Sequence, residues 1–90
     1  MTTIEAPRIA GRDRAREDVA ALDLRPGGNL VVTFPARASA TPSYLDELVA
    51  VVCVESGATL VLRSLSERAR SVAAESADRQ GVSDLLVLEP

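Results

Sequence analysis

The side chains able to do chemistry in this chain are hydroxyls, carboxylates and arginines. There is no histidine and one cysteine, Cys53, so neither a zinc cluster nor a histidine-centred triad can be assembled. The densest group of reactive side chains is the stretch TPSYLDEL, residues 41–48. Thr41 before Pro42 has the form of a helix start, with the threonine as N-cap and proline in the first turn. Ser43 offers a second solution, capping the helix with Asp46 three residues on as the acid of a capping box. Either cap is worth about 1 kcal/mol and carries no function. The same physics supports a functional reading. A helix start presents free N–H groups and a partial positive charge, which would stabilise a phosphate added to Ser43. Asp46 and Glu47 oppose that dianion from one turn away, and these neighbouring acids tune or solvate the helix start. They point about 100° apart on a helix, so they do not face each other across a substrate as an acid–base pair. No catalytic residue is assigned, and no enzyme activity is expected.

The other chemistry-bearing residues have simpler readings. Arg12, Arg14 and Arg16 resemble an anion site, yet Asp13, Glu17 and Asp18 interleave with them at pairing distance, as on a solvated, salt-paired helix face. Cys53 stands in the apolar run VVCVE, where a buried, reduced thiol is expected. Arg37 is the only charge in the loop 35–45 and is a candidate contact. Ten basic and 13 acidic residues give a formal charge of −3, which opposes attraction to a nucleic-acid backbone or an anionic membrane. No cofactor and no metal site are expected. No apolar run approaches the roughly 20 residues of a membrane helix, and no leader pattern opens the chain, so a cytoplasmic protein is expected.

Positioning these residues requires a scaffold, and 90 residues make a single domain. Apolar residues form 47% of the chain, with one Phe, one Tyr and no Trp, so the core must be built from Val, Leu, Ile and Ala. Residues 1–10 carry a short edge strand or tail. Residues 12–22 read as a surface helix with Ala15, Val19 and Leu22 on one face. The run NLVVTF after the turn RPGG is a strand, apolar on both faces as in a central strand covered by helices. A second helix follows from Ser43, with Leu45, Leu48, Val49 and Val52 inward and Gly57 as its C-terminal cap. Residues 58–65 form another strand. The Ser64 to Glu67 spacing is that of a capping box, and a third helix starts near Ser66, its inner face made by Ala69, Val72, Ala73 and Ala77. Residues 84–89 close the chain as a strand. The alternation predicts an α/β domain of two or three layers, with about four mostly parallel strands and about three helices.

The segments LVVTFPARASATPSYLDELVAVV and GATLVLRSLSERARSVAAESADRQGVSDLLVLE resemble the STAS fold, the family of anti-sigma-factor antagonists. The likeness is greatest to its small bacterial STAS-like branch, in which a strand ending in an aromatic leads to a helix of the form S-F-x-D-E-L; here it is SYLDEL. The resemblance spans roughly residues 12–89. Antagonists carry Asp-Ser-Ser-Gly at the helix start and are phosphorylated on the second serine by a kinase that is also the anti-sigma factor. Counted from Phe34, that serine falls on Ser43, while this chain has Thr41, Pro42 and Tyr44 at the other three places.

The resemblance implies a regulatory, non-enzymatic domain that docks a protein partner, such as an anti-sigma-type ATP-binding kinase, through the loop and helix start at 37–48. The expected partner-binding residues are Arg37, Thr41, Ser43, Tyr44 and Glu47, with Ser43 as phosphoacceptor. The alternative is a structural or assembly subunit, a homo-oligomer using the same fold without a switch. Its interface would bury Tyr44 or the first helix.

Overall fold

The structure, a computed structural model, describes residues 2–6, 9–10, 12–35 and 39–90. Its sheet is built from β1 (Thr2–Glu5), β3 (Asn29–Thr33), β5 (Thr59–Arg63) and β6 (Leu86–Glu89), in that spatial order and all parallel. The β-branched and leucine-rich runs NLVVT and TLVLR occupy the two central places, where both strand edges are paired. Their registers align Ile4, Val32, Leu62 and Leu88 in one row and Leu30, Leu60 and Leu86 in another. Both rows belong to the core beneath the helices. A two-residue parallel bridge, β2 (Ile9–Ala10) with β4 (Ser39–Ala40), ties the stretch after β1 to the loop after β3.

Three helices, α1 (Arg12–Ala20), α2 (Pro42–Leu48) and α3 (Glu67–Arg79), connect successive strands. Because each strand lies beside its predecessor, right-handed crossovers set all three helices on one face. The molecule therefore has two layers, and the helices do not sandwich β3 as expected. The side away from the helices carries the row Thr3, Val31, Val61 and Val87, which is buried at central Val31 (0%) and exposed at Val87 on the edge (39%). Ala15 and Val19 of α1, and Ala69, Ala73 and Ala77 of α3, are buried against the sheet side. These small side chains bring helix and sheet close, as the aromatic-poor composition requires.

The second helix is longer than α2 but changes character. From Val49 to Glu55 it is a π-helix, whose wider turns bury Val49, Val51, Val52 and Cys53 together. The expected inward set of Leu45, Leu48, Val49 and Val52 is fully buried. Gly57 follows with φ +66°, the left-handed conformation that ends a helix. The start of α3 differs in detail from expectation. Ser66, not Ser64, is the cap, its Oγ accepting from the Ala69 N–H at 3.2 Å. Ser64 instead adopts φ 65°, turning the chain out of β5 two residues before the Ser66 cap.

Candidate functional site

The β3-to-α2 connection sits at the carboxyl end of the parallel sheet, where open α/β folds place their working loops. Thr41 is extended (φ −68°, ψ 150°), and its Oγ1 accepts the Tyr44 N–H at 3.1 Å. Pro42 occupies the first helical position, where a missing N–H costs nothing. Thr41 is thus the cap, and the Ser43 capping box does not form. Ser43 lies in the first turn with its side chain in solvent.

The carboxylate that would have completed that box turns to α3 instead. Asp46 Oδ1 accepts from Ser76 Oγ at 2.6 Å and from Arg79 Nη2 at 3.1 Å. Gln80 Nε2 donates to Ser76 Oγ at 2.9 Å and closes the network. Ser76 is fully buried, so its hydroxyl needs this partner. Pro42, Ser43, Asp46, Val72, Ser76 and Arg79 line a cleft of about 210 Å³ between α2 and α3. That is below the ~300–1,000 Å³ of typical small-molecule sites.

Tyr44 and Glu47, expected at a partner-binding surface, are inside. Tyr44 is fully buried, edge-on to Phe34 with ring centroids 6.3 Å apart, and its hydroxyl donates to Asp18 Oδ2 at 3.2 Å. Burial first, and the Asp18 charge second, hold the phenol above its ordinary range. Glu47 is 5% exposed and accepts from Arg16 Nη2 at 2.6 Å and Nε at 3.1 Å. Arg16 also reaches Glu55 Oε2 at 2.9 Å, and its guanidinium is held above its usual range by hydrogen bonds to Glu55 and then Glu47. The reason is α1: it packs along this flank of α2 and covers both side chains. Within α1, Arg14 pairs with Asp18 at 2.9 Å, in the i, i+4 manner expected of the salt-paired face. Asp46 and Glu47 therefore do not simply solvate the helix start. Each is committed to a neighbouring helix.

Of the five expected contact residues, Thr41 and Ser43 stand together at the cleft end of α2, Tyr44 and Glu47 face inward, and Arg37 lies outside the described residues. Asp46, Ser76, Arg79 and Gln80 were not among the expected site residues. One signal pointed to them: Ser76 adjoins the apolar stripe 69–73–77, where a hydroxyl demands a polar partner. Cys53 is buried as expected, its Sγ donating to the Leu85 carbonyl at 3.6 Å. Burial pushes its thiol up to about 11, so it is no nucleophile at neutral pH. Among the described residues no group of His, Cys, Asp and Glu is placed to hold a metal ion, and no helix is long and apolar enough to cross a membrane. No protein-family model, no curated protein and no solved structure matches this chain.

Proposed function

We propose that this chain is a regulatory protein-binding domain of the STAS-like kind that docks its partner through the start of α2. The observation that carries the reading is the exposure of Ser43 on the rim of the Asp46–Ser76–Arg79 cleft. Around it, Thr41, Tyr44, Asp46 and Glu47 are held by packing and hydrogen bonds. A hydroxyl that neither caps nor packs, at the carboxyl end of a parallel sheet, is where a rigid scaffold offers a contact. In this reading the chain does no chemistry of its own, and the partner is a protein with an ATP-binding kinase fold.

Phosphorylation of Ser43 supplies the control. The Arg79 side chain is 69% exposed and bonded to Asp46, so a phosphoserine on the same cleft competes with Asp46 for the guanidinium. The added dianion thereby changes both the charge and the shape of the docking surface. The test is affinity capture from source lysate with wild type, Ser43→Ala, Ser43→Glu and Ser43→Glu/Arg79→Ala as baits. Retention of one kinase-like protein by wild type and Ser43→Ala, with loss on Ser43→Glu, is expected. Identical retention by every bait would reduce Ser43 to an ordinary surface residue. The rival reading, an assembly subunit joined through Tyr44 or the first helix, meets the difficulty on its Tyr44 side that the fold has already buried that ring.

A further inference from the structure

Among the described residues the sheet has two open edges, of unlike character. β1 presents Thr2, Thr3 and Glu5 to solvent, polar side chains of the kind that discourage strand addition. β6 reads LVLE; its first three residues are apolar, and its one charge, Glu89, is taken by Arg63 at 2.5 Å. Among the described residues no strand pairs with the far side of β6. Val87, in its middle, is 39% exposed. An edge strand that is apolar over three residues, with its one charge already paired, is a template for another strand.

The helix above this edge carries the matching signal. Arg70, Ala74 and Asp78 fall four residues apart in α3 and so form one stripe. Arg70 and Ala74 line an open groove with Leu65, Glu67, Ser71 and Leu88, on the flank of α3 opposite the one that meets α2. Within the described residues neither Arg70 nor Asp78 makes an ion pair. Over Arg70, Ala74 and Asp78 the stripe is charge-antisymmetric about Ala74, positive at 70 and negative at 78, with Glu67 in the same groove one turn before it. Such a stripe is complementary to itself when reversed.

We propose that β6 and the outer flank of α3 form a two-fold interface with a second copy of this chain. Antiparallel pairing of β6 with its mate extends the sheet across the dyad. With strands ~4.8 Å apart, the two α3 helices, each lying over its own β5–β6 pair, come to about 10 Å from one another, a helix-packing distance. Ala74 meets its mate at the axis, where its small side chain permits close approach. Arg70 of each copy faces Asp78 of the other, and the contact is isologous, as closed two-fold assemblies require. The charge pattern selects a second copy over an unrelated peptide strand. The interface leaves the Ser43 cleft free, so it stands or falls independently of partner docking there.

The experiment is sedimentation equilibrium of the full chain over a concentration series, with circular dichroism to confirm that each variant is folded. A wild-type dimer is expected. Arg70→Glu and Asp78→Arg should each raise its dissociation constant about tenfold, since two attractive pairs become repulsive. The double reversal Arg70→Glu/Asp78→Arg should restore the wild-type value. Val87→Lys should weaken the dimer more than either single reversal by placing charge on the pairing edge. A wild-type chain that stays monomeric up to about 1 mM overturns the proposal. So does a dimer that the single reversals leave unchanged, or one that the double reversal fails to restore.

Discussion

The two flanks of α2 show how one short helix can be closed on one side and open on the other. On the α1 flank, Tyr44 and Glu47 are buried, and each is met by a side chain of α1: Asp18 for the phenol, Arg16 for the carboxylate. On the α3 flank, Asp46 is met by Ser76 and Arg79, but a cleft remains with Ser43 on its rim. The neighbouring acids of the DEL triplet thus serve opposite helices. The difference is one of filling: α1 meets an aromatic ring and excludes water, whereas α3 meets small side chains and leaves a gap. A sealed joint stabilises; an open one leaves side chains available for contact.

Substitutions can break this asymmetry or sharpen it. Tyr44→Ala should have the largest effect, a loss of about 4 kcal/mol in urea unfolding, because it empties the sealed joint and orphans the Asp18 contact. A loss below about 1 kcal/mol would show that the joint collapses around the gap. Glu47→Ala should cost about 2 kcal/mol by removing charge-assisted bonds within a buried contact. Ser76→Ala, on the open flank, should cost about 1 kcal/mol, since Asp46 keeps Arg79 and stays partly hydrated. Ser43→Ala should fall within ~0.5 kcal/mol of wild type. If Ser43→Ala destabilised as much as Glu47→Ala, the two flanks would not differ as described.

Most of the scaffold was legible because its signals are local. The stripe Ala15–Val19, the runs NLVVT and TLVLR, and the alanine face of α3 each announce an element within a single window. The four parallel strands and three helices follow from their alternation. What was hidden depends on partners distant in sequence. Tyr44 read as a surface aromatic because its acceptor, Asp18, lies 26 positions away, and the Arg16 partner of Glu47 lies 31 away. No window contains both members of either pair. The one-sided placement of the helices was masked by Val31 and Val61, apolar and buried on the other face, which matched a strand covered by helices on both sides. Ser64 and Ser66 both offered a hydroxyl, and only the backbone turn at Ser64 decided between them.

The π-helical stretch from Val49 to Glu55 has a consequence for how this chain can change length. Hydrogen bonds that skip five residues rather than four, such as Ser56 N–H to the Val51 carbonyl, accommodate one residue more than an ordinary helix would use. Loss of a single codon there, Ala50 for instance, relaxes the stretch toward an α-helix and leaves the strands on either side in place. The same loss inside β5 would shift its register by one and turn Leu60 and Leu62 out of the core. The molecule thus carries a spare residue in a helix and none in its central strands.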